Sequence, residues 1–174
     1  MPGRTTACAI GCVAGMATDR VSAATTIDAA PDAVFAVLAD PTKHADIDGT
    51  GWVSEALDRV RIAAVGQVFR MGMYHANHPD KNYAIANLVE VYDPPWVIAW
   101  KPGTASPDTG ELRFGGWIWR YDLAATGPSR TTVTLTYDWS EVAPDVREYL
   151  RFPPFPHDHL DNSLRHLADL VASR

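Results

Sequence analysis

Cysteine is nearly missing from this chain. Its two cysteines, Cys8 and Cys12, both sit in the N-terminal stretch. The body therefore has no disulfide framework, no cysteine nucleophile and no thiolate metal site. That usage fits a reducing compartment, and a cytoplasmic location is the expectation. Basic residues are also outnumbered: 15 Lys and Arg face 21 Asp and Glu, for a net charge of -6. Affinity for a phosphate backbone comes from clustered cations, and the chain has no basic run, so nucleic acid and anionic membrane surfaces are excluded as partners. No apolar stretch approaches the roughly 18 residues of a membrane span. Phosphate-binding glycine loops, serine nucleophile elbows and zinc-protease helix motifs do not occur. No internal repeat or low-complexity segment is visible, and nothing calls for a cofactor.

With 174 residues, the chain suits one domain with a real core. Hydrophobic residues make up 47% and charged residues 21%, as in ordinary soluble domains. Residues 1–18 are read as a disordered tail and 19–174 as a single domain. The apolar run around Ala-Ile-Gly-Cys12 is too short and too broken by Thr and Gly for an export signal.

Alternation and capping give the element order. Val21 to Ile27 alternates small apolar and polar residues and reads as a strand. Asp28-Ala-Ala-Pro31 opens a helix whose apolar side is Val34, Phe35, Val37 and Leu38. Asp40-Pro41 ends it and starts a second short helix through Ile47. Asp48-Gly-Thr-Gly51 is a turn. Strands are predicted over Trp52 to Arg61, Gly66 to His75, Asn82 to Tyr92 and Trp96 to Lys101. A polar stretch, Pro102 to Phe114, reads as a mobile loop. Two more strands run from Gly116 to Ala124 and from Arg130 to Trp139.

The last strand is the clearest. Val133, Leu135, Tyr137 and Trp139 share one side, and Thr132, Thr134, Thr136 and Asp138 the other. Tyr83, Ile85, Asn87, Val89 and Val91 are expected on one side of the fourth strand, and Trp96, Ile98 and Trp100 on one side of the fifth. After a proline-rich stretch with a helical turn at Asp145 to Leu150, Leu160, Leu164, Leu167 and Val171 form one stripe. That stripe predicts a helix from Phe155 or His157 to Ser173.

A seven-stranded antiparallel sheet with one apolar face offers more surface than one helix covers. The sheet must curl around the helix, leaving a partly open interior. The fold class is therefore α+β, a curved sheet wrapped around a long C-terminal helix.

Four segments carry a resemblance: Thr26-Ile-Asp-Ala-Ala-Pro-Asp-Ala-Val-Phe35, the Asp40-Pro41 step, Val89-Glu-Val-Tyr-Asp-Pro-Pro95 leading into Ile98-Ala-Trp100, and Trp119-Arg-Tyr-Asp-Leu123. In these the chain resembles the START-like (SRPBCC) superfamily, the helix-grip fold of the birch-pollen allergen and of polyketide cyclase/dehydrase-like proteins. The resemblance covers roughly residues 20 to 173. It implies a fold and a cavity but transfers no catalytic residue, because members bind varied ligands and only some are enzymes.

The strand phases then supply candidate residues. Phe69, Met71, Met73, Tyr83, Ile85, Asn87, Trp100, Trp117, Trp119, Tyr121, Tyr137, Leu160 and Leu164 are the expected ligand-binding set. Tyr83, Asn87 and Tyr137 are the catalytic candidates if the protein turns a substrate over. Each also has a plainer reading as a core polar group satisfied by a neighbour, and the tryptophans as filler for a wide core. Asn87 stands out, because an amide on an apolar strand face costs free energy unless partnered.

Six histidines are present. His75 and His78 follow the third strand, and His157 and His159 precede the last helix; these read as loop residues, and no metal site is expected. His44 is placed near the opening of such a fold. Three functions remain open at this point: binding of a small hydrophobic or aromatic molecule, a polyketide cyclase/dehydratase-like enzyme, and a partner-binding module. The oligomeric state is also open.

Overall fold

The structure is a computed structural model that describes residues 19–173. The expected tail, with Cys8 and Cys12, lies outside the described residues.

Strand β1 spans Arg20–Ile27, and Pro31 begins helix α1, Pro31–Leu38, with Asp32 in its first turn. Proline suits that position because it has no N–H to leave unpaired there. The Asp40 side chain then accepts the Thr42 backbone N–H at 3.1 Å, opening a short 3-10 turn that runs into α2, His44–Ile47. Next come β2 (Val53–Ala56), β3 (Val68–Tyr74), β4 (Asn82–Asp93), β5 (Val97–Ala105), β6 (Leu112–Phe114), β7 (Ile118–Gly127) and β8 (Arg130–Asp138). Helices α3 (Pro144–Tyr149) and α4 (His159–Ala172) complete the order. No described helix is long and apolar enough to cross a membrane.

One antiparallel sheet runs β1-β8-β7-β5-β4-β3-β2, with β6 paired to the far end of β5. It curls into a half-barrel around α4. Seven strands lie on the main path, as expected, and β6 is an eighth. It comes from the stretch read as a loop: β5 continues to Ala105 and turns back as a hairpin.

The closed end of the half-barrel is a packed core. Leu164, Leu167 and Val171 of α4 meet Val34 and Leu38 of α1, Ile27, Ile98, Leu123 and Val133, all buried. Each such aliphatic side chain contributes about 1.5–3 kcal/mol by leaving water.

Three expectations need correction. The second strand is only four residues long, Val53–Ala56. Beyond it Arg59 takes a positive φ of 52°, and Asp58 turns its carboxylate to the Arg70 backbone N–H and guanidinium instead of continuing the ladder. In β4, the register with β5 shifts between Val89 and Val91. Past this bulge the phase reverses: Val91 falls on the convex face beside Arg120 and Asp122, and Tyr92 packs edge-on to Phe35 at 5.6 Å. One extra residue in a strand exchanges its two faces. Trp96 is 42% exposed, because it belongs to the turn before β5, where its N–H donates to the Asp93 carbonyl at 2.7 Å.

Candidate functional site

The open end of the half-barrel is not filled. Between the sheet and the first turns of α4 lies a cavity of about 660 Å³, within the usual size of small-molecule pockets. Met71, Met73, Tyr83, Ile85, Asn87 and Trp100 form one stretch of its wall. Trp119, Tyr121, Leu135 and Tyr137 form the next. Trp117 joins them from just before β7, where Gly116 has a φ of 91° and the Trp117 indole lies directly over the position a Gly115 side chain would occupy. The side opposite the sheet is the segment after α3, through Leu150, Phe152, Pro154 and Phe155.

Three expected binding residues do not line the cavity. Phe69 is covered from inside by His44 and Trp100, with ring centroids at 5.4 and 5.7 Å. Leu160 and Leu164 are buried in the core. On α4 it is His159 and Ser163 that line the cavity. Each leucine follows one of them by one residue, about 100° further round the helix, and so faces the core instead.

Aromatic packing makes one wall stiff. Trp119 meets Tyr137 at 4.5 Å, Phe155 at 5.4 Å and His159 at 5.4 Å. Behind it Tyr137, Trp139 and Val142 form a small second core with Phe152. The segment carrying Phe152 and Phe155 is tied down by Arg147, which donates to the carbonyls of Val142 (2.9 Å) and Trp139 (2.6 Å) and pairs with Asp19 at 3.1 Å. Helix α3 itself buries no residue.

The polar groups gather where the Asp48–Gly49 turn meets α4. The Asp48 carboxylate accepts the backbone N–H groups of Trp52 (2.7 Å) and Val53 (3.0 Å) and the Thr50 hydroxyl (2.9 Å). His166 Nδ1 donates to the Asp48 carbonyl at 3.1 Å, fixing the turn on the helix. His159 is buried, and its Nδ1 has no hydrogen-bond partner among the described residues. Burial holds its pKa below the ordinary imidazole value, against the opposing pull of the Asp48 charge, the adjacent Gly49 backbone and the Asp158 charge. Burial likewise raises the Tyr121 pKa, with a further push from Asp48, and raises those of Tyr137 and Tyr83. These phenols stay protonated at neutral pH.

Asn87 is buried on β4, with only a long 3.5 Å contact from its Nδ2 to the Phe69 carbonyl. Its amide is therefore weakly held by protein.

His44 sits elsewhere than the sequence suggested, while His75 and His78 lie in the turn between β3 and β4, as expected. His44 is not at the opening but in the interior: it stacks on Trp100 at 5.1 Å, and its Nε2 donates to the Leu38 carbonyl at 2.8 Å. Burial pushes its pKa down. His78 stacks on Tyr83 at 4.1 Å and His75 meets the Trp52 edge at 4.7 Å, both lining the cavity. Among the described residues no cluster of His, Cys, Asp and Glu forms a metal-binding group. Asp48, Ser163 and His159 were missed as site residues. His159 and Ser163 are four apart on the amphipathic helix, one position before two leucines of the stripe, and that spacing was the available signal.

Solved structures with the same curled sheet and C-terminal helix settle the architecture. The fold is a helix grip. Among them are protein Ms6760 from Mycobacterium smegmatis, with a TM-score of 0.63 and 14% identity over 90% of this chain and 92% of that one. Another is norcoclaurine synthase from Thalictrum flavum in complex with dopamine and hydroxybenzaldehyde, with a TM-score of 0.59 and 12% identity over 91% and 88%. Such identities show a shared fold alone. No family model matches the sequence. In sequence, the chain is similar to the uncharacterized protein Rv0088 of Mycobacterium tuberculosis, 27% identical over 133 residues, which is 76% of this chain and 53% of that protein. The chain thus spans about half the length of the curated relatives it matches.

Proposed function

We propose that this helix-grip chain holds a small hydrophobic or aromatic molecule between the sheet and α4. The observation that carries this reading is the unfilled cavity of about 660 Å³, walled by aromatic and thioether side chains. Polar groups are few, as in pockets that take up flat apolar ligands. The helix-grip neighbour solved with dopamine and hydroxybenzaldehyde holds small aromatic molecules. Native mass spectrometry of gently purified protein, with organic extraction, tests the reading alongside titration with naphthalene-based probes followed by tryptophan fluorescence. A retained apolar compound, or saturable quenching at micromolar probe, supports it. An empty protein that quenches with no probe overturns it.

One observation favours a second reading, a polyketide cyclase/dehydratase-like enzyme acting on a polyketide or related lipid-like substrate. His159 lines the cavity, and burial holds its imidazole below the ordinary pKa. In this reading the cavity folds a flexible chain into a reactive shape. His159 takes a proton from an activated carbon, and Tyr83, Asn87 or Tyr137 donates a hydrogen bond to the developing enolate oxygen. Product formation from a linear poly-β-ketone, lost in His159→Gln with binding retained, supports turnover. Equal product in the presence and absence of protein removes it.

A further inference from the structure

The cavity is charged on one side only. Among the described residues that line it, Asp48 is the one carboxylate, and no lysine or arginine is present. Nor does any described cation form an ion pair with Asp48; the chain's ion pairs lie elsewhere, such as Arg120–Asp122 and Arg70–Asp58. Its partners are the N–H groups of Thr50, Trp52 and Val53 and the Thr50 hydroxyl, which fix its position but leave its formal charge uncompensated.

From this composition, and resting on the binding reading above, we infer that the site selects its ligand by charge. It favours an aromatic molecule with an amine or other hydrogen-bond-donating end, and it rejects aromatic or aliphatic carboxylates.

The physics is direct. Within walls of indole, phenol and thioether, a charge is screened far less than in water, so a single carboxylate repels an incoming anion over several ångströms. A desolvated ligand carboxylate also needs a cation or several N–H donors. The cavity offers it only neutral hydroxyls, the amides of Asn77 and Asn87, tryptophan N–H groups and histidine, with no lysine or arginine. An ammonium or phenol finds the opposite surroundings: the Asp48 charge, with the Asn87 amide oxygen and the Ser163 hydroxyl among the acceptors of the lining.

Three probes of one shape test this: naphthylethylamine, naphthylethanol and naphthylacetate, titrated into the full chain at neutral pH and fixed ionic strength. The expected order is amine, then alcohol, then acid, with amine and acid separated by about tenfold or more, ~1.4 kcal/mol in binding free energy. Asp48→Asn keeps an accepting oxygen for the turn and brings the amine-to-acid ratio towards one. Asp169→Asn, an exposed carboxylate on α4 outside the cavity, removes the same charge and leaves the ratio unchanged.

An acid that binds as tightly as the amine overturns the charge preference while leaving the binding reading intact. If none of the three probes binds, the binding reading falls instead. The wild-type comparison needs no variant, so it decides the matter even if Asp48→Asn does not fold.

Discussion

Gly49 lies against the first turns of α4, so close that a β-carbon there would collide with the His159 carbonyl oxygen and stand 2.8 Å from both His159 Nδ1 and Ser163 Oγ. This contact brings the Asp48 turn to the two polar residues that α4 contributes to the cavity. The turn cannot retreat freely, because His166 and the Trp52 and Val53 N–H groups hold it.

Gly49→Ala must therefore push the turn off the helix. The expected cost is about 1–3 kcal/mol, the usual range for overpacking a close contact, with loss of probe binding. Denaturant unfolding reads the first and fluorescence titration the second. Unchanged stability would mean that the turn and helix are not in contact in solution.

Acid should weaken the fold before the carboxylates titrate. His44 and His159 both have folded-state pKa values lowered by burial from an unfolded value near 6.5. The unfolded chain therefore binds more protons as the pH falls. Their contribution is fully present above pH ~6.5 and declines as the pH drops below it, by up to about 1.4 kcal/mol per pH unit for each histidine. Unfolding curves between pH 7.5 and 5 should show this slope, and His44→Gln should make it shallower. A stability that is flat across that range would contradict neutral burial of both rings.

Arg147 should matter more than its partly exposed position suggests. Its guanidinium gathers the Val142 and Trp139 carbonyls and the Asp19 carboxylate, a forked geometry that an ammonium does not reproduce. Arg147→Ala is expected to cost about 1–3 kcal/mol and to speed amide exchange in residues 142–158 above all. Arg147→Lys should restore little. Uniform exchange across the chain would remove the anchoring role.

Tyr121 and Tyr137 line the cavity, and neither hydroxyl is given a fixed partner by the surrounding side chains described above. Tyr121→Phe and Tyr137→Phe should each leave stability within about 0.5 kcal/mol. Affinity for naphthylethanol, which can bond to them, should fall about threefold or more. A loss of 2 kcal/mol in stability would instead make that hydroxyl a structural group.

The sequence was most legible where one face is wet and the other dry. Strand β8 shows this: threonines alternate with Val133, Leu135 and Tyr137, and every expected inward residue is buried. The α4 stripe was equally plain. Legibility failed where geometry is set by pairing rather than by pattern. The bulge at Val89/Val91 reverses faces without any glycine or proline to mark it. The loop reading of residues 102–114 missed β6 because polar residues fit an exposed edge hairpin as well as a loop. The site was half readable. Strand phase found the tyrosines, Asn87 and the methionines, but not how far along the barrel axis each residue lies, so Phe69 was placed at the cavity instead of behind it. His159 and Asp48 were hidden because their importance comes from a contact between residues more than a hundred positions apart.

The two sides of the cavity differ in what holds them. The strand side is cross-linked by backbone hydrogen bonds from β3 to β8, so its shape barely depends on which side chains it carries. The opposite side is a short stretch resting on Phe152, Phe155 and one guanidinium, beneath a helix that packs inward only through the half-buried Val146 and Arg147. Substitutions on the first side should change the chemistry an occupant meets, whereas substitutions on the second should change how long it stays.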